Sequence, residues 1–384
     1  MHIYLDYNAT TPLEGDALAA MTAALAGQFG NASSVHYFGQ QAKALLDEAR
    51  THVAALIGAS PADLVLTAGG TEADNLALRG LAEHGPASPR HRFVISAIEH
   101  EAVTNTARAL GARGWQTTVV PVEASGLVPV DAMAAALDDS VTAVAIMLAN
   151  NEIGTIQPVA EVAALARERG ALVLCDAVQA VGKIPVDVQA LGVDLLALSA
   201  HKFGGPKGVG ALWIRKGTRL KSLLTGGRQE RGRRAGTENV PGVVGMGAAA
   251  RVAGAQLERR LGAIGALRDR LERGILDGIA GTSVNGDRDR RVPNTTNISF
   301  EGAEGESLVM ALDLEGIAVS TGAACSSGTL EPSHVLRALG LPPSRVQSAI
   351  RFSLGAATAG GDIDRVLAVL PGIVARARAL GGRR

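Results

Sequence analysis

Cysteine is scarce in this chain: Cys175 and Cys325 are the two among 384 residues. Two thiols are too few for a disulfide framework, and their separation does not fit a closed zinc site. Net charge is also lacking, because 37 Lys and Arg stand against 37 Asp and Glu. That balance argues against a protein that coats nucleic acid or a lipid surface, and favours small-molecule chemistry. No segment approaches the ~20 uninterrupted apolar residues of a membrane-spanning helix. The N-terminal Met1-His2-Ile3-Tyr4-Leu5-Asp6-Tyr7 has neither a basic leader nor a long apolar stretch, so a cytoplasmic location without membrane or direct nucleic-acid contact is expected. His100-Glu101 has no second histidine at metalloprotease spacing, and no metal site is expected. Internal repeats, low-complexity linkers and long heptad runs are missing too.

What the chain does have is size, apolar content and glycine. With 47% hydrophobic residues and 47 glycines, it can bury a substantial core and divide into two domains. From about Ser34 to Lys216, helical stretches such as Val35 to Ile57, Thr71 to Glu83 and Val159 to Gly170 alternate with β-rich segments. The strands expected are Arg92 to Ser96, Val141 to Leu148, Ala171 to Asp176, Val193 to Leu198 and Val209 to Ile214. Such alternation predicts an α/β fold with a mostly parallel sheet covered by helices, and ligands at the carboxyl ends of its strands. After Pro241 the texture changes to a long helical stretch, then to Asn297-Phe300 and a helix from Glu304, which suggests a smaller α+β domain. The segment through Thr11 could join either.

Three strand ends carry chemistry. Val193 to Leu198 runs into Ser199-Ala200-His201-Lys202, which places a partly desolvated lysine, the form that acts as an amine nucleophile, at a strand end. A Schiff-base lysine points to pyridoxal phosphate, which also needs a carboxylate for its pyridinium nitrogen and a helix start for its phosphate. Ala171 to Cys175 ends in Asp176, with Gln179 close behind. Leu64-Val65-Leu66-Thr67 leads into Ala68-Gly69-Gly70-Thr71, a strand, glycine turn and helix start where Thr71 and Asp74 fit a capping pattern. Asn150-Asn151 follows another buried strand and brings amide donors to the same sheet edge. His100 either caps a helix or lies flat on a planar cofactor. Strand alternation turns Cys175 away from Asp176 into a packed layer. Cys325 sits in the small-residue loop Ser320 to Thr329, either as a tolerated loop thiol or as a nucleophile able to reach across a cleft. Gly245-Met246-Gly247 resembles a dinucleotide fingerprint but lacks the preceding strand, and reads as close helix packing.

Together these motifs resemble the cysteine desulfurases, specifically the NifS/IscS-like branch of the class V, fold-type I pyridoxal phosphate enzymes. The likeness runs nearly end to end, through Tyr4 to Thr11, Gly30 to His36, Gly69 to Asn75, Asn150 to Gly154, Ser199 to Lys202, Arg231 to Asn239, and Leu330 to Gly340 after Cys325. It implies a seven-stranded large domain over residues 13–250, with a small domain from 1–12 and 251–384 that carries the cysteine loop. It further implies that Lys202 holds the cofactor and Asp176 pairs with its ring nitrogen. Gln179 would meet the phenolic oxygen and His100 would stack on the ring. Gly70, Thr71, Ser199 and His201 would hold the phosphate, joined by Thr237 from the second subunit of a homodimer. Asn31, Asn151 and Arg351 would orient L-cysteine. Cys325 would accept its sulfur as a persulfide, leaving L-alanine, and a cluster-scaffold or other sulfur-acceptor protein would receive it for iron–sulfur assembly or tRNA thiolation. A selenocysteine lyase or aminotransferase, with Cys325 incidental, and a non-catalytic sulfur-trafficking scaffold are the alternatives.

Overall fold

The computed structural model describes residues 2–83, 90–322 and 332–381. Cys325 lies outside them. The strands are β1 (Ile3–Tyr4), β2 (Leu64–Thr67), β3 (Arg92–Ser96), β4 (Gln116–Val120), β5 (Val141–Met147), β6 (Leu172–Asp176), β7 (Leu195–Ser199), β8 (Gly210–Ile214), β9 (Thr282–Asn285), β10 (Thr295–Phe300), β11 (Ile317–Ala318) and β12 (Ala349–Ser353). Seven of them form one sheet in the order β2-β8-β7-β6-β5-β3-β4. Only β8 runs opposite to the other six strands there, so the expected mostly parallel sheet is present. Helix α1 spans Gly15–Gly27, α2 Tyr37–Leu56, α3 Gly70–Ala82 and α4 Glu101–Gly111.

Both faces of the large sheet are covered, as the near-continuous apolar runs of β5 to β8 require. Cys175, Leu196, Leu198 and Trp213 face a core shared with α2, whereas Leu174, Leu195, Ala197 and Leu212 face α3 and α4. Cys175 is fully buried, in the packed layer that alternation predicts. A separate core gathers around the β12-β10-β9 sheet from Ile3, Leu5, Phe300, Ile350 and Phe352.

One helix, Val240–Gly278, serves both cores: Val243, Met246 and Ala250 pack in the first, Leu271 and Ile275 in the second. The expected boundary near residue 250 therefore falls inside a continuous helix. Added side-chain atoms at Gly245 and Gly247 would meet Met21 at 2.5 Å and Ala49 at 2.5 Å. These glycines provide close packing, as the sequence suggests. The N-terminal segment uses both halves of the molecule: β1 pairs in parallel with β11, and further on the Thr11 N–H donates to the His201 carbonyl at 2.9 Å.

Candidate active site

Neighbouring parallel strands deliver the key acid and amine. Asp176 is the last residue of β6, beside Ala197 of β7, and Lys202 follows β7 in a single turn of 3₁₀ helix. They meet in a cavity of about 440 Å³ that is also lined by Gly70, Thr71, His100, Asn151, Gln179, Ser199, His201 and Arg351. Asn31 and Thr237 are exposed and do not line the cavity of the single chain.

Charge in this cavity is set mainly by burial. The Lys202 amine donates to the carbonyls of Asn8 at 2.5 Å and Ala9 at 2.9 Å. Burial, reinforced by the Arg351 guanidinium, lowers its pKa to about 8. Burial raises that of Asp176, against the pull of His100 and Lys202. One Asp176 oxygen accepts the Val178 N–H at 2.9 Å. His201, held by Thr10 at 3.1 Å, is lowered to about 4, chiefly by burial, and stays neutral at physiological pH. Both readings of His100 are compatible: it caps α4 by accepting the Ala102 N–H on Nδ1 at 3.0 Å, while its ring lines the cavity. With Nδ1 an acceptor, the proton of the neutral ring sits on Nε2.

The capping expectation at α3 is corrected. The helix starts from Gly69, at φ +152°, with no side-chain cap; Thr71 lies inside the first turn and Asp74 is buried further along. A residue with a Cβ does not take that φ readily, so a glycine begins the helix. The first-turn N–H groups are thereby left facing outward for an anion.

Several functional groups were not singled out from the sequence. Asp6 is one: it accepts from the expected Arg351 at 2.6 Å, while the Asn151 carbonyl accepts from the same guanidinium at 2.9 Å. Glu99 is fully buried under β3 and β5, accepts from Ser96 and Met147, and is raised to about 8 by burial. Asn8 and Lys183 complete the surroundings of Gln179: Asn8 accepts from Gln179 Nε2 at 2.9 Å, and Lys183 donates to Gln179 Oε1 at 2.5 Å. Asn8 lay within the Tyr4 to Thr11 motif. Lys183 follows Gln179 by four residues, a signal available only once Gln179 is suspected.

The sequence matches the Aminotransferase class-V family over residues 3–366, and the chain belongs to that family. Within it the chain stands with the cysteine desulfurases, being 48% identical to the cysteine desulfurase of Gluconacetobacter diazotrophicus over 98% of this chain and 94% of the relative. Among solved structures it is similar to a NifS-like protein, with a TM-score of 0.92 and 36% identity, covering 98% of this chain and 100% of the other. It is also similar to SspA in complex with cysteine, with a TM-score of 0.81 and 32% identity, covering 92% and 98%.

Pyridoxal phosphate is the cofactor of this family, and the residues present fit it. The second oxygen of Asp176 has no partner among the described residues, α3 opens on two glycines, and Arg351 has a buried Nε without a partner. Those are a counter-ion, an anion cradle and a spare cationic donor in one cavity.

Proposed function

We propose that this chain removes sulfur from L-cysteine, giving L-alanine and a persulfide on Cys325. The observation that carries this reading is the convergence of Lys202, Asp176 and Arg351 on one cavity, in a chain nearly half identical to named cysteine desulfurases over almost its whole length. Bound pyridoxal phosphate supplies an electron sink for charge that develops at the substrate's Cα. Asp176 sits where a carboxylate can balance the ring nitrogen's proton. Lys202, with its depressed pKa, both anchors the cofactor and exchanges protons near neutrality. Gln179 would donate to the ring oxygen, His100 would stack on the ring, and Gly70, Thr71, Ser199 and His201 would hold the phosphate.

Arg351 is aimed by Asp6 and lines the cavity, where its guanidinium would meet the substrate carboxylate. Asn151, which lines the cavity, and the exposed Asn31 would complete the substrate contacts. Gly322, three residues before Cys325, lines the cavity, which supports Cys325 as the sulfur acceptor. Its thiolate attacks the substrate sulfur, the carbon–sulfur bond breaks, and the carbon skeleton takes up a proton to leave as L-alanine.

The same reading makes the protein a cytoplasmic homodimer. Phe29, Val35, Tyr37 and Phe38 form an exposed apolar patch on and beside α2, with Phe29 80% and Val35 92% exposed. A patch of this kind marks a protein contact, and the exposed Thr237 is free to reach a partner's phosphate. The division into domains of 13–250 and 1–12 with 251–384, and delivery of persulfide sulfur to a scaffold or acceptor protein, belong to this proposal.

The test is Cys325→Ala in the cofactor-loaded protein, with alanine, sulfide and protein-bound persulfide measured after adding L-cysteine. The variant keeps the cofactor's visible band and its spectral response to L-cysteine, yet forms no persulfide. Turnover at the parental rate would overturn the reading in favour of a lyase that needs no cysteine nucleophile.

A further inference from the structure

The part-buried Lys183 has no carboxylate partner among the described residues. Its Nζ donates to Gln179 Oε1 at 2.5 Å and to Asn8 Oδ1 at 2.8 Å. Burial, with Lys202 and Arg351 nearby, lowers its pKa well below the usual lysine range. A lysine without an opposing charge is costly to bury, and the cost points to a task.

An amide side chain can turn over and exchange its oxygen for its nitrogen. Gln179 is held from both ends. Lys183 Nζ is placed as a donor to one end, at Oε1, which favours the oxygen there. The Asn8 carbonyl, which accepts the Nε2 hydrogen at 2.9 Å, requires nitrogen at the other. Asn8 is itself fixed, because its Oδ1 also accepts from Asn294 at 3.0 Å and its Nδ2 donates to Thr295 Oγ1 at 2.8 Å. The second hydrogen on Gln179 Nε2 has no partner among the described residues, and Gln179 lines the cofactor cavity.

We infer that Lys183 is a positioning residue, which locks the Gln179 amide so that its free N–H, and not its oxygen, is offered to the ring oxygen of the bound cofactor. This rests on the reading of Gln179 as the partner of that oxygen. Turned over, Gln179 would set an oxygen against an oxygen and lose the donor altogether.

The experiment follows the visible band of the cofactor-loaded protein against pH. A donor at the ring oxygen stabilises the negative charge that grows there when the linkage to Lys202 loses its proton. Loss of the donor therefore raises the midpoint. Gln179→Leu raises it by about one pH unit, the worth of one hydrogen bond. Lys183→Met raises it by roughly half as much, because Gln179 then samples both orientations. In the Gln179→Leu, Lys183→Met double variant the midpoint equals that of Gln179→Leu alone.

If Gln179→Leu leaves the midpoint unmoved, the assignment of Gln179 to the ring oxygen fails and the inference with it. If Gln179→Leu moves it and Lys183→Met does not, the assignment stands and the inference falls. A Lys183→Met shift that persists in full on top of Gln179→Leu also overturns it, since Lys183 would then act directly through its charge. Should Lys183→Met fold poorly, Lys183→Gln, one bond shorter and neutral, gives the same reading.

Discussion

Lys202 shows how little of a lysine's reactivity belongs to lysine. Burial and the Arg351 guanidinium bring it from 10.5 to about 8, so neutral amine gains ground as pH rises through 8, whereas an unfolded lysine stays charged until about 10.5. Between those values the unfolded chain binds more protons, and the stability that Lys202 costs is recovered as pH climbs. Cofactor uptake by the stripped protein, followed by its visible band, accordingly rises with pH and levels off a little above 8; a rise continuing to 10.5 would contradict this. Cys175 is the opposite case, a fully buried thiol pushed up by burial and unsuited to nucleophilic attack. Cys175→Ala keeps persulfide formation and loses about 1 kcal/mol of stability to the small cavity left behind, a difference that denaturant unfolding resolves.

At the scale of elements, the start of α3 is the most constrained part of the site. A Cβ at residue 70 would lie 2.6 Å from Val178 Cγ2, and Val178 stands two residues after Asp176 and supplies its N–H donor. Gly70→Ala therefore shifts the phosphate cradle and the Asp176 loop together. Affinity for pyridoxal phosphate falls by about tenfold or more, equivalent to ~1.4 kcal/mol, as measured by equilibrium titration; an unchanged affinity would show the cradle to be looser than its packing. This stretch was legible in sequence because strand, glycine turn and helix are neighbours along the chain. So were Asp176 and Lys202, each marked by an apolar run ending in polar residues. The cap at Thr71 was misread because an uncommon glycine backbone, not a side chain, begins the helix. Asp6 with Arg351 and Asn8 with Lys183 were not legible as pairs: they lie 345 and 175 positions apart, and tertiary structure alone brings them together.

For the whole molecule, the exposed Phe29, Val35, Tyr37 and Phe38 predict a dimer whose two sites depend on each other. Phe38→Asp shifts sedimentation towards monomer and weakens cofactor retention in parallel; a fully loaded, fully active monomer would remove the dimer from the proposal. The route of the N-terminal segment has a further consequence, for biosynthesis. Asp6 leaves the ribosome early, but the arginine it aims is made 345 residues later, roughly 20 to 70 s behind at about 5–20 residues per second. Asn294 and β11, the partners of Asn8 and β1, are likewise made late, shortly before that arginine. A nascent chain stalled before β12 would carry the cofactor lysine but no closed pocket around it, so vitamin capture is a late event in the making of this protein.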